Sequence, residues 1–377
     1  MAKTGKAWVM EGPGKMSLQE FPYPECKDDG MILKVEAVGV CGSDLNAYKG
    51  NAGTMHFPIV PGHEMAGTVE ELGADYLNNF QIIGAKELKK GDRVIIGPGT
   101  KGCGKCETCL KYPDKPVLCQ NRFVYGHSTC TQPPHFLGGF AQYIYLMPNS
   151  WVFKIPDDMS FELAAMAEPT CIALRTVERA IEPGTPGMGH GLGIGRSVVV
   201  IGVGPIGLLV TAVLKHAGAG NIICVDMSKD RLEMAKNMGA DLTIDGSLPL
   251  EERLKIVEES NGGELADVVI ETAGVPIAFK ETLDYVRRGG IIVEAGHYTD
   301  GGEIPIRPYN ICYKDCDIRG VWANHPIMFR DALNFLSRSQ VDVEQLATHV
   351  LSLDEGGKAF ELPGKPGVGK VIVKPWK

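Results

Sequence analysis

One stretch limits the fold of this chain more than any other. The run Arg196-Ser197-Val198-Val199-Val200-Ile201 has the continuous apolar character of a strand buried on both faces. It leads into Gly202-Val203-Gly204-Pro205-Ile206-Gly207 and then into a helix-forming segment, 208–217. A G-x-G-x-x-G set between a strand and a helix reads as a phosphate loop. The first glycine makes the tight turn, the second lets the backbone approach a pyrophosphate, and the third packs helix on strand. Free N–H groups and the positive end of the helix dipole complete an anion site. A second strand, Asn221–Asp226, closes on an acid that would bond the adenosine ribose and repel a 2′-phosphate. NAD is therefore expected over NADP, with Arg231 either flanking the adenine or accommodating the extra phosphate. Alternation of strand and helix continues, with small residues at the strand ends. Thr272 and Ala273, Ala295 and Gly296, and Val321 are expected to line the cofactor together with Gly202, Gly204, Pro205, Ile206, Gly207, Asp226 and Arg231.

The rest of the chain is built differently. At 377 residues it is too long for one ordinary core and fits two domains. The first hundred residues read as short strands bounded by Gly and Pro, a β-rich, barrel-like pattern. Segment 30–40 reads as a strand leading to Cys41-Gly42-Ser43-Asp44, and 66–73 as a strand following Gly62-His63-Glu64. Segment 75–88 has no clear period and is expected to be a surface insertion. Cys, His and Glu are good zinc ligands, and a catalytic site needs three of them plus an open position. Cys41 and His63 are candidates on that ground, although a lone His beside a Glu is more often a hydrogen-bonded pair.

Eleven cysteines, an odd count, with no export signal at the start, argue against a disulfide framework and for a reducing, cytoplasmic setting. Four of them, Cys103, Cys106, Cys109 and Cys119, form interlocked C-x-x-C pairs plus a fourth thiol. Such a set suits a closed, tetrahedral structural zinc site in a lobe of about residues 97–122. Unlinked surface thiols, a redox pair or an iron–sulfur cluster are the rivals, the last lacking the ferredoxin spacing. A net charge of −8 with no long basic run makes nucleic acid or an anionic membrane an unfavourable partner. No apolar run is long enough to span a bilayer.

Segment 138–146 reads as one more strand. Ser160 reads as the N-cap of a helix with Glu162 in its first turn, and Pro169 should bend or restart that helix. Glu168 lies beside the proline, and sequence physics alone leaves it on the surface. The Gly/Pro-rich stretch 182–196 reads as a connection, since no strand precedes it. Segment 318–322 looks like the last strand. The remainder, helical over 326–337 and strand-like over 370–373, is too short for a domain and is expected to pack back on the first one.

Taken in order, Cys-Gly-Ser-Asp, Gly-His-Glu, the four cysteines, Glu-Pro and G-x-G-x-x-G resemble the zinc-containing medium-chain dehydrogenase/reductase superfamily, most closely its sorbitol and threonine dehydrogenase branch. The resemblance covers nearly the whole chain. It implies an α/β protein: a GroES-like, β-rich catalytic domain (1–169 and 318–377) interrupted by a Rossmann, doubly wound parallel-sheet domain (170–317). It also implies a catalytic zinc on Cys41, His63 and Glu168, with Glu64 as a fourth ligand or a neighbouring carboxylate, and a second, structural zinc. Ser43 matches the hydroxyl that passes the substrate proton outward, and Asp44 a buried residue that orients the ligand loop. Many relatives carry a His five positions after the ligand Cys. This chain has Asn46, so proton exit would run through water, the cofactor ribose or His56. The gap before Cys119 is also longer than usual, which enlarges the lobe.

The expected chemistry is reversible hydride transfer between a secondary alcohol or polyol-like substrate and NAD, in a homodimer or homotetramer. Asn46, Tyr48, His56 and Arg122 would suit a hydroxylated substrate, or else face solvent. An amino alcohol such as threonine is the second substrate reading. A zinc-stabilised NAD-binding protein without activity is a different class, as is a zinc-free quinone or enone reductase, which would lack both ligand sets.

Overall fold

The computed structural model describes residues 3–51, 53, 55–181 and 191–377; most of the glycine-rich connection, 182–190, lies outside them. The chain divides into two compact units, 1–168 with 324–338 and 347–377, and 169–323 with 339–346.

The first unit opens with a hairpin of β1 (Thr4–Gly12) and β2 (Lys15–Pro22). Then come β3 (Met31–Gly39), α1 (Gly42–Tyr48), β4 (Glu64–Leu72), α2 (Tyr76–Asn79), β5 (Gln81–Ile83), β6 (Arg93–Thr100), α3 (Glu107–Lys111), β7 (Tyr143–Leu146) and β8 (Ser150–Lys154). Alternation along β3 sends Met31, Leu33 and Val35 into the core. A register shift against β4 between Val35 and Ala37 then moves the inward set to Val38 and Val40.

Two sequence expectations change here. Segment 75–88 is not a surface insertion: it contains α2 and β5, buries Phe80 and Leu88, and β5 pairs in parallel with β8 at the sheet edge. A three-residue strand is too short to show a period. Segment 138–146 is a strand only over β7. Its first part runs against 60–62, with Gly139 N–H donating to Gly62 O at 2.9 Å and Phe140 N–H to Pro61 O at 3.0 Å. Gly138 passes so close that an added Cβ would lie 1.8 Å from Val60 O.

Ser160 caps α4 (Phe161–Ala165), accepting from Leu163 N–H at 3.0 Å. The helix breaks at Met166 and restarts as α5 (Ala167–Ile181). The restart precedes Pro169, which therefore falls in a first turn, where a missing N–H costs nothing. The unit boundary falls between Glu168 and Pro169.

In the second unit β9 (Ser197–Ile201), α6 (Pro205–His216), β10 (Asn221–Asp226), α7 (Lys229–Asn237), β11 (Leu242–Asp245), α8 (Leu250–Ser260), β12 (Ala266–Glu271), α9 (Pro276–Tyr285), β13 (Val286–Glu294), α10 (Pro308–Lys314) and β14 (Asp317–Gly320) alternate. The six strands are parallel in the order β11-β10-β9-β12-β13-β14. The order reverses between β9 and β12, which is where a doubly wound sheet takes its ligand. All five residues of β9 are buried, as its apolar run requires. Because β14 pairs with β13, residues 318–323 belong to this unit rather than to the first, and the return begins at Asn324.

The returning chain gives the first unit α11 (Met328–Arg338), β15 (His349–Ser352) and β16 (Val371–Lys374). β16 pairs antiparallel with β3, setting Ile372 opposite Gly39 and Val373 opposite Val38. The order β15-β16-β3-β4-β6-β8-β5, with β7 also on β3, completes the first unit's larger sheet. No helix among the described residues is long and apolar enough to cross a membrane.

Candidate active site

Three distant segments of the first unit converge at the end of β3. Cys41 is the N-cap of α1 in extended backbone (φ −89°, ψ 153°). Asp44, fully buried, accepts from Cys41 N–H at 3.2 Å and from Gly62 N–H at 3.3 Å, so one carboxylate ties both segments together. Its Oδ1 lies 3.8 Å from His63 Nδ1. Gly62 holds φ +94°, and a Cβ there would lie 2.5 Å from the Phe140 ring, so the turn into His63 and β4 needs glycine. Glu168 arrives from the first turn of α5 and is buried, not on the surface. Asn324 Nδ2 donates to its Oε1 at 3.3 Å.

The electrostatics are those of buried acids gathered around one imidazole. Burial alone would lower the His63 imidazole, but Cys41, Asp44 and Glu168 hold it well above its usual range. Burial pushes the Glu168 carboxyl up to about 7 against the pull of His63, and Glu64 adds to the rise. His63 Nδ1 and Ser43 Oγ are buried without a hydrogen-bond partner among the described residues.

Glu64, the first residue of β4, has a partner that the sequence did not reveal. Lys370, buried just before β16, places Nζ 2.6 Å from Glu64 Oε1 and 2.5 Å from Oε2. Gly39 leaves room for this pair, since a Cβ there would lie 2.2 Å from Glu64 Oε2 and 2.9 Å from Lys370 Cε. The only sequence signal for Lys370 is a cation heading an apolar strand. His127 was also missed; its ring meets His63 edge-on at 5.9 Å. Burial, then His63, Arg122 and His56, push it down to about 3, which keeps it neutral, and His56 N–H donates to His127 O at 3.1 Å. Tyr48 turns elsewhere, with its hydroxyl 3.4 Å from Gly14 O and its ring against Phe360. Asn46 lies on α1.

The four cysteines are gathered more tightly. One donor atom from each of three or more His, Cys, Asp or Glu lies within 4.8 Å of the others in two places among the described residues. One is Cys103, Cys106, Cys109 and Cys119; the other is Glu271, Glu294 and His297. Cys41, His63 and Glu168 are more widely spaced than either. Backbone N–H groups serve the sulfurs, from Cys103 to Cys119 Sγ at 3.3 Å and from Cys106 to Cys103 Sγ at 3.4 Å. The N–H groups of Lys105 and Cys106 draw the Cys103 thiol down to about 6. All eleven cysteines are free of disulfides.

In the second unit the C-terminal ends of β9, β12, β13 and β14 bring together the residues expected to hold a dinucleotide. Gly202 has φ +85°, and a Cβ there would lie 2.6 Å from Ala273; one on Gly207 would lie 2.1 Å from Gly202 O. Gly204, the N-cap of α6 ahead of Pro205 and Ile206, faces open space, with nothing within 4 Å of an added Cβ. Thr272 Oγ1 donates to Gly202 O. Ala295 N–H donates to Glu271 O at 3.0 Å and Val321 N–H to Glu294 O at 2.9 Å, while Gly296 follows Ala295 at the same edge. Asp226 accepts from Val203 N–H and Ser228 N–H, each at 2.8 Å, and lies 4.0 Å from Arg231 Nη1.

Comparison with known proteins finds two matching domain families. Residues 27–157 match the alcohol dehydrogenase GroES-like domain, and residues 205–338 match the zinc-binding dehydrogenase domain. A sorbitol dehydrogenase of Bacillus subtilis (strain 168) is 34% identical over 377 residues, covering 98% of this chain and 97% of its own. An L-threonine 3-dehydrogenase of Alteromonas mediterranea is 31% identical over 360 residues, covering 94% and 95%. The crystal structure of an alcohol dehydrogenase from Thermotoga maritima superposes with a TM-score of 0.88 at 30% identity, covering 99% of this chain and 100% of that one.

Proposed function

The chain belongs to the zinc-type medium-chain dehydrogenase/reductase superfamily and is an alcohol- or polyol-type dehydrogenase, and on that premise we propose that it oxidises a secondary alcohol or polyol with zinc and NAD, reversibly. The observation that carries this reading is the meeting of Cys41, Glu168 and His63 in one pocket, where the thiol and the carboxyl both hold the imidazole up, beside a buried Ser43 Oγ that has no hydrogen-bond partner among the described residues.

The donors suit zinc: a thiolate, an imidazole and a carboxylate from one pocket, with Ser43 beside them. The glycine cradle suits a dinucleotide, with open space at Gly204 where a phosphate would approach. When bound, zinc supplies the Lewis acidity that lowers an alcohol's pKa, and NAD supplies the hydride acceptor. The chain's own residues do the rest. Ser43 Oγ takes the substrate proton and hands it outward. Asp44 fixes the Cys41 and Gly62 segments relative to each other. Lys370 neutralises Glu64, which favours Glu168 as the third ligand and leaves Glu64 a neighbouring carboxylate. Asp226 supports NAD over NADP, because its charge would repel a 2′-phosphate and it draws Arg231 toward itself. Resemblance also supports a homodimer or homotetramer.

Similarity to a threonine dehydrogenase favours one second reading, an amino-alcohol substrate. A panel of polyols and secondary alcohols against L-threonine, followed as NADH absorbance with zinc retained, separates the two. Turnover with polyols and not with L-threonine is expected. Preference for L-threonine would overturn the polyol reading, and no turnover on any alcohol would overturn both.

A further inference from the structure

A second cluster of ligating side chains lies in the parallel sheet, apart from the cysteine and His63 sets. Glu271 ends β12 and Glu294 ends β13, and the two are register partners across the parallel ladder, which brings their carboxylates side by side. Each carboxylate is fixed by the chain that follows it. Glu271 Oε1 accepts from Ala273 N–H at 2.7 Å and Gly274 N–H at 2.9 Å. Glu294 Oε1 accepts from Gly296 N–H at 3.0 Å and His297 N–H at 3.2 Å, and lies 2.9 Å from His297 Nδ1. The turns thus hold one oxygen of each acid and leave the other outside those bonds.

Those second oxygens, Glu271 Oε2 and Glu294 Oε2, are buried and accept no hydrogen bond from the described residues. Glu271 is 0% exposed, and its Oε2 lies 3.6 Å from His297 Nδ1, beyond hydrogen-bond reach. Gly296 makes the space, since a Cβ there would lie 2.2 Å from Glu271 Oε2. Among the described residues no lysine or arginine pairs with either acid; His297 is their one ion-pair partner. Two carboxylates so placed repel each other: burial, then the Glu294 charge, push Glu271 up to about 8. Such a pair needs a positive charge between its members, either a shared proton or a cation.

We infer that Glu271, Glu294 and His297 form a third metal site, binding a divalent first-row transition cation through one oxygen of each carboxylate and His297 Nδ1. One donor atom from each lies within 4.8 Å of the others; donors on one ion at about 2.1 Å stand at most about 4.2 Å apart, so a small inward turn of the side chains would close the site. The imidazole argues against magnesium or calcium, which take oxygen ligands, and in favour of manganese, iron, cobalt or zinc. The backbone N–H bonds to the carboxylates hold the ligands in place before an ion arrives. The site requires neither hydride chemistry nor the zinc set at His63.

The test uses the full-length protein as purified, dialysed against excess Co²⁺ or Mn²⁺ and then freed of loose ions. Metal content is counted, and the visible spectrum of the cobalt form is recorded. The expected result is one ion per chain more than in Glu271→Gln/Glu294→Gln. The additional cobalt should show weak ligand-field bands without the thiolate charge-transfer bands of cobalt on cysteine. His297→Ala, altering a partly exposed residue, tests the same point if the double variant fails to fold, and should weaken Mn²⁺ binding by at least about 10-fold. A wild-type chain with no extra ion, or an extra ion that persists unweakened in these variants, overturns the site and leaves the shared proton.

Discussion

The two candidate zinc sets are assembled in opposite ways. Cys103, Cys106, Cys109 and Cys119 come from one short stretch, and their sulfurs are already gathered with backbone N–H groups aimed at them. Cys41, His63 and Glu168 come from a helix cap, the residue just before a strand and the first turn of a restarted helix. They stand farther apart, and they depend on Asp44, Asn324 and a buried lysine–glutamate pair for their placement. The difference matches the proposed work. A closed structural site gains from rigid local geometry, whereas a catalytic site keeps one position open and tolerates ligand movement.

The largest expected effect separates the sets directly. His63→Ala should lower kcat/KM by at least about 10³-fold, the several kcal/mol that a Lewis acid contributes. Metal analysis should find one zinc fewer while the cysteine ion stays; loss of both would break the distinction. Next comes Lys370→Met, which strands a buried Glu64 charge and should cost about 3–5 kcal/mol in denaturant unfolding. Adding Glu64→Gln should recover much of that loss, and a single variant as stable as wild type would show that the pair does not support the site. Cys109→Ser should open the lobe to limited proteolysis near 97–122 while lowering turnover by less than about tenfold, since a closed four-thiolate site would leave no position open to substrate. A fall as large as that of His63→Ala would merge the two roles.

The smallest effect is a control outside both sets. Burial raises the Asp267 carboxyl, but Ser197 N–H and the Arg287 guanidinium more than offset it and hold it below its usual range. Its contribution is therefore full above the ordinary carboxylate range and lost as pH falls through the lowered pKa. Asp267→Asn should cost about 1.5 kcal/mol at pH 7 and progressively less in acid, with metal content unchanged. A deficit independent of pH would assign the effect to packing instead.

The same contrast explains what could be read from the sequence. The glycine loop and the four cysteines are local, so spacing alone was enough to group them, and the strand–helix alternation around Gly202 disclosed the parallel sheet. Glu168 could not be placed by local physics, which puts a glutamate beside a proline on the surface; the long-range return of Asn324 is what gives it a buried partner. Lys370 and His127 were hidden for the same reason, each meeting His63 or Glu64 only through tertiary packing. Residues 81–83 escaped notice because an edge strand of that length carries no alternation.

Gly39 bears on how this enzyme can change. The position carries no side chain and lies at the end of an ordinary strand. Yet the atoms that an alanine methyl would displace there are Glu64 Oε2 and the Lys370 stem. A substitution that scans as conservative would thus act as a lever on the Glu64–Lys370 pair beside His63 without touching His63 itself. Searches for altered specificity that randomise only pocket-lining residues would overlook it, and libraries that vary the strand freely would lose their members there first.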